Sequence, residues 1–172
     1  MTLADSRNTT YAPADPVRSN DLNELQDAVV QGAHGDRVLD LHPISGWPVT
    51  PANVALAGNG YLLWSAATVL WVPVPVHVGD RVKTFTYARS GDAAVDVTVT
   101  AYLYNMTDGL SILNASGSSL LDTNPAAAWA DQAIDLTDTT IAEGETVLLK
   151  FDPNAGALRL GNIRVTYSHP LT

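Results

Sequence analysis

A mainly β protein is what the sequence predicts, an antiparallel β-sandwich of the jelly-roll kind preceded by an extended N-terminal arm and one short α-helix. Three observations predict it. Val95, Val97, Val99, Ala101 and Leu103 alternate with Asp96, Thr98, Thr100, Tyr102 and Tyr104, the period of two that a half-buried antiparallel strand requires. Further short segments rich in Val, Leu, Thr and Tyr follow at intervals marked by turn residues, as in sandwiches rather than alternating strand and helix units. Helical spacing occurs in only one stretch, NDLNELQDAVVQG from Asn20 to Gly32.

Along the chain, residues 1–19 have no period and carry Pro13 and Pro16 among the turn formers Asp5, Asn8 and Asp15, so an arm is expected here. At ~3.3 Å per residue its first part could reach about 50 Å. Residues 20–35 are the helix: Ser19, Asn20 or Asp21 can cap it, Glu24 stands three after Asp21, and Gly32 and Gly35 supply the stop. Leu22, Leu25 and Val29 give it one narrow apolar seam. A helix of about eleven residues is marginal alone in water and must pack on a partner, either its own sandwich or copies of itself about an axis.

Residues 36–172 are the expected sandwich. Arg81–Arg89 is a strand candidate joined through Ser90–Asp92 to the Val95–Leu103 strand, so the two are expected to form a hairpin. Leu110–Leu113, Ser118–Leu121, Ala133–Leu136, Thr146–Phe151, Ala157–Leu160 and Asn162–Ser168 follow as strands. Leu158 and Leu160 share one phase while Ile163, Val165 and Tyr167 share the other, which predicts a bulge at Gly161–Asn162. In Thr68–Asp80, Val72, Val74, Val76 and Val78 alternate, but Pro73 and Pro75 cannot donate to a ladder, so this is expected at a sheet edge or corner.

Composition narrows the function. At 172 residues the chain is one domain of ordinary size with an extension, and it needs no metal or disulfide staple. Eighteen acidic against nine basic residues argue against binding along a phosphate backbone, which Lys and Arg must drive, so nucleic acid is not an expected partner. The absence of cysteine excludes thiolate metal sites, thiol chemistry and a disulfide framework. The N-terminus does not read as a signal peptide, and the apolar run Ala66–Val76 is too short and Pro-broken to span a bilayer, so no membrane partner is expected.

No reaction is legible. The Ser cluster at Ala115–Ser119 lacks the GxSxG context of a nucleophile and reads as a polar loop. His34, His42, His77 and His169 are isolated rather than at ligand spacing, and no metal or cofactor is expected. Gly58–Gly60 lacks the Lys and helix of a phosphate loop and reads as a turn. DPNAG, Asp152–Gly156, is half a calcium loop at most and reads as a hairpin turn, and Asp92, Asp108 and Asp122 stand in similar turn-like contexts. No residue is assigned a catalytic role. Trp47, Trp64, Trp71 and Trp129, with Tyr102 and Tyr104, contain the makings of a sugar-stacking platform. Trp71 lies in the apolar run and Trp64 just before it, and both are expected in the core. Tyr102 and Tyr104 share the polar face of their strand, so they are candidates for ligand or subunit contact.

The stretch PVRSNDLNELQDAVVQG resembles the Pro-led arm and helix found near the N-terminus of many bacteriophage virion proteins. Gly79–Asn105 and the ending IAEGETVLLKFDPNAGALRLGNIRVTY look like the jelly rolls of phage head-decoration, head-fibre and tail-tip proteins. That resemblance implies a non-enzymatic capsid decoration protein on the outer surface of the particle, made in the host cytoplasm. It also implies a homotrimer joined through Leu22, Leu25 and Val29, held to the major capsid protein or another virion protein by Tyr11, Pro13, Pro16 and Val17. The alternative is a tail-tip or fibre receptor-binding or carbohydrate-binding jelly roll that docks on a cell-surface glycan, since the same closing strand pattern occurs in carbohydrate-binding sandwiches.

Overall fold

The computed structural model describes residues 35–91, 95–105, 107, 109–112, 119–122 and 128–169. The expected arm and helix, with Tyr11, Pro13, Pro16, Val17, Leu22, Leu25 and Val29, lie outside the described residues, as do His34 and most of the Ser cluster.

Alternating burial drives the chain into strands that pair in two antiparallel sheets. The strands are β1 (Asp36–Leu41), β2 (Trp47–Pro48), β3 (Val54–Leu56), β4 (Leu62–Trp64), β5 (Leu70–Val74) and β6 (Arg81–Ser90). They continue with β7 (Val97–Asn105), β8 (Gly109–Ile112), β9 (Ser119–Asp122), β10 (Ala130–Thr140), β11 (Glu145–Pro153) and β12 (Arg159–Ser168). One sheet runs β10-β6-β12-β4-β3, with β1 also paired to β12; the other runs β2-β5-β11-β7-β8, with β9 also paired to β7.

The two inner faces share one core. Val82, Phe85 and Tyr87 of β6 and Ile163 and Val165 of β12 meet Val97, Val99 and Ala101 of β7 and Val147, Leu149 and Phe151 of β11. Tyr87 and Phe151 contact edge to face across the sandwich at 5.4 Å between centroids. Each such side chain contributes roughly 1.5–3 kcal/mol when fully buried, which holds the sheets face to face.

Two expected hairpins are instead crossings between sheets. β6 pairs with β10 and β12 while β7 pairs with β11, β8 and β9, so the chain passes from one layer to the other between Ser90 and Val97. The connection after β11 does the same: Asp152 lies inside that strand, paired with Lys150 at 2.7 Å, and Asn154–Leu158 carries the chain across to β12. Period two in a sequence marks a strand that buries one face, and it is silent on which sheet supplies the next neighbour. Gly156 makes the second crossing possible, since a Cβ there would stand 2.5 Å from the Ser65 carbonyl oxygen.

The Pro-guarded segment also differs in extent. β5 stops at Val74; Pro75 and Val78 are exposed beyond it, and β2 covers only its first residues, Trp47 opposite Trp71 and Pro48 opposite Leu70. Pro73 therefore sits where no described strand pairs on that side, the position a residue without an N–H tolerates. The predicted bulge is present: the pairing of β12 with β6 shifts register between Leu160 and Ile163.

Candidate functional site

That bulge organises the site. On its other side β12 pairs first with β4, Leu160 opposite Leu62, and then with β1, Ile163 opposite Leu41. Gly161 and Asn162 fall where the partner changes, so the residues flanking the paired ends, Tyr61 before β4 and His42 after β1, converge beside them. His42 closes the gap. Its Nδ1 accepts the Ile44 backbone N–H at 3.1 Å, which leaves Nε2 to carry the proton and donate to the Gly60 carbonyl at 2.5 Å. The ring thereby pins the Gly58–Gly60 turn, which the sequence predicts; Gly60 adopts φ +82°, and the turn closes with Gly60 N–H on Ala57 O and Ala57 N–H on Tyr61 O.

An open cleft of about 490 Å³ results, lined by His42, Asn59, Gly60, Tyr61, Ala88, Trp129, Gly161 and Asn162. Trp129, immediately before β10, folds over Gly161: a Cβ on that glycine would stand 3.2 Å from Cζ3 of the indole and 3.4 Å from the Ala88 Cβ. A glycine within a strand marks a close approach, and here the approaching group is Trp129. The indole is held edge to face by Tyr61, centroids 5.5 Å apart at 64°, and keeps 48% of its surface exposed. A half-exposed indole braced by a second ring, beside two amide side chains, can stack on the C–H face of a sugar while the amides meet its hydroxyls.

Charge is kept at the rim. Arg164 donates through Nε and Nη2 to the two oxygens of Asp40 at 2.8 and 3.3 Å. The Arg164 hydrogen bonds hold the Asp40 carboxyl below the usual carboxylate range against an opposing desolvation, with smaller lowering contributions from the Arg164 charge and from Asn162. Asp40 in turn raises Arg164, and Asp131 adds to that.

Of the residues singled out from sequence, Tyr102 and Tyr104 lie elsewhere, on the outer face of the other sheet. Tyr102 touches Trp71, centroids 5.5 Å apart, and Tyr104 is 41% exposed one row farther along β7. Trp71 is not in the core as expected: it turns outward on β5, opposite an exposed Trp47, while Trp64 is buried and donates its Nε1–H to the Thr68 carbonyl. Trp47, Trp71, Tyr102 and Tyr104 thus form an aromatic outer face distinct from the cleft. Among the cleft residues, Trp129 was one of the rings that the sequence offered for a stacking platform, whereas Tyr61, Asn59, His42 and Asn162 were not singled out for a ligand; the signal within reach was the glycine at the predicted bulge.

The supposedly isolated histidines are not all alone. His169 Nδ1 lies 2.5 Å from Oδ1 of Asp80, and the His77 backbone N–H donates to Oδ2 at 2.7 Å. Asp80 is 1% exposed, so this carboxylate ties the end of β12 to the turn before β6. Among the described residues no group of three His, Asp or Glu is placed to hold a metal ion.

Fold and cleft define a class: a mainly β, antiparallel sandwich with an aromatic-lined cleft on one outer face. The sequence matches no family model, and no curated protein matches it. Solved structures do match in fold. The xylan-binding module CBM15 superposes with a TM-score of 0.52 at 10% identity, covering 80% of this chain and 100% of that one. The C-terminal CBM6 of the laminarinase LamC from Zobellia galactanivorans gives 0.47 at 12% identity, over 76% of this chain and 99% of that one. The CBM22-1 xylan-binding domain of Xyn10C from Paenibacillus barcinonensis gives 0.46 at 11%, over 80% and 84%. At such identities the likeness speaks for the fold, a sandwich resembling the jelly rolls of carbohydrate-binding modules.

Proposed function

We propose that this chain is a non-catalytic glycan-binding module and that its sugar sits in the cleft against Trp129. The observation that carries the reading is the Tyr61–Trp129 pair, an indole left half exposed over a glycine rather than folded into the core. Braced in this way, the ring keeps an open face toward the cleft on which a sugar can stack. Among the described residues the lining holds amides, rings and backbone but no carboxylate or serine, which supports binding over hydrolysis. The xylan-binding jelly roll of similar fold is consistent with this use of the scaffold.

The test is a glycan array followed by calorimetry on the full chain and on Trp129→Ala. Removing the ring should weaken binding by about 1.4 kcal/mol or more, tenfold in Kd, since stacking is lost together with buried area. The melting temperature should move little, because half the indole is already in water. A blank array with folded protein overturns the reading.

A second reading concerns setting and is supported by the arm and helix sequence at residues 16–32. The module then belongs on the outside of a phage particle. It is joined to the capsid or another virion protein through Tyr11, Pro13, Pro16 and Val17 and to its own copies through Leu22, Leu25 and Val29, and glycan binding serves receptor engagement. A pure capsid decoration protein would bind assembled capsid and no sugar, so the same array, run beside a capsid-binding assay, separates the two versions.

A further inference from the structure

We infer that the ligand of this cleft is an uncharged sugar, and that residues around the cleft select against carboxylated ones such as uronic or sialic acids. This rests on the glycan reading and sharpens it. Among the described residues no side chain lining the cleft is a formal cation. His42 does not supply one: an imidazolium would turn an N–H toward the Ile44 N–H that Nδ1 now accepts, so the ring in this arrangement is the neutral Nε2–H tautomer.

The nearest charges are unfavourable to an anion. Ladder registers place Asp40 opposite Arg164 and Asp131 opposite Ala88, on the outer face that carries the cleft. Arg164 gives two hydrogen bonds to Asp40, and its remaining field is opposed by Asp131. On the side of β1 and β10, the described rim is thus one cation, Arg164, against two carboxylates. Asn162 lines the cleft and also favours the charged form of Asp40. A neutral hydroxyl can donate and accept in turn with amides, whereas a carboxylate only accepts and requires an unopposed donor or a cation to offset its desolvation. At larger range the chain carries a net charge of −9, which repels polyanionic glycans.

One residue argues the other way. Arg159 lies one outward row beyond Ala88, opposite Ser90, and its Nε is buried with no hydrogen-bond partner among the described residues. It is not part of the lining, but an acidic sugar reaching past Gly161 would find it.

The experiment is a mixed array of neutral and acidic oligosaccharides on the full chain. Calorimetry follows at low and high salt with galactotetraose against tetragalacturonate, which differ only at C6, and with lactose against sialyllactose, which adds one sialic acid. The inference predicts that whichever neutral member binds does so at least tenfold more tightly than its acidic counterpart. It also predicts that its affinity is unchanged by salt, and that Asp131→Lys narrows the gap without harming neutral binding. Equal or tighter binding of acidic glycans, weakened by salt and lost in Arg159→Gln, overturns the selectivity while leaving a glycan-binding module. Binding of no sugar, neutral or acidic, overturns the glycan reading beneath it.

Discussion

Replacing Phe151 by alanine tests whether the two sheets share a single core. Phe151 is fully buried on β11, faces the opposite sheet, and meets Tyr87 edge to face at 5.4 Å. Loss of a buried phenyl costs about 3–5 kcal/mol from transfer and cavity terms together. The aromatic pair contributes roughly 0.5–1.5 kcal/mol of that, because its geometry is favourable beyond the area buried. Taking about 4 kcal/mol, and ~3 °C for each kcal/mol in a domain of this size, Phe151→Ala should melt about 12 °C lower. Tyr104→Ala is the control: that ring is 41% exposed, so its removal should stay within about 0.5 kcal/mol. Urea unfolding read by tryptophan fluorescence gives the free energies, and calorimetric scans give the temperatures. Sugar affinity of the folded fraction should be unchanged, since the cleft is built on the other sheet. If Phe151→Ala melted within a few degrees of the parent, the sheets would not be packed against each other at this point, and the cleft would lack its support.

Other expectations follow from single contacts. Gly156→Ala places a methyl 2.5 Å from the Ser65 carbonyl oxygen and 2.7 Å from its carbon, backbone against backbone, and should destabilise by about 1–3 kcal/mol in the same urea assay. Asp40 should titrate below the usual carboxylate range by carboxyl NMR, chiefly because Arg164 hydrogen-bonds its charged form. A lowered folded-state value means that the pair contributes stability above the unfolded carboxylate value and loses it as pH falls through the folded one. Arg164→Gln should return the midpoint toward the ordinary range, and an unshifted midpoint in the parent would remove the ion pair from the account. Deleting Met1–Ser19 should leave the melt of the β domain in place, because the core among the described residues runs from Leu41 to Val165 and closes between the two sheets. On the virion reading the same deletion abolishes attachment to the particle, and full occupancy by the truncated chain would refute the anchoring role.

Local pattern determined the strands. Alternation from Val95 to Leu103 and from Ile163 to Tyr167, the turn at Gly58–Gly60 and the phase inversion at Gly161–Asn162 were all legible, since each depends on neighbours a few residues away. Tertiary structure decided which strands pair. Ser90–Asp92 and Asp152–Gly156 have turn chemistry that serves a hairpin or an inter-sheet crossing equally, and only the packing of one sheet on the other selected the crossing. Trp71 is a different case: its apolar neighbours placed it in the core, but Leu70, Val72 and Val74 are the buried phase of β5, so strand alternation sets Trp71 on the outer face. The cleft lay furthest from local pattern. His42, Asn59, Tyr61, Trp129 and Asn162 come from separate stretches of the chain and meet because β12 exchanges β4 for β1 at its bulge. A glycine with a phase change announces that something approaches there; that the approaching group is an indole and the ring beside it a tyrosine is settled by long-range registry, which no short window of sequence contains.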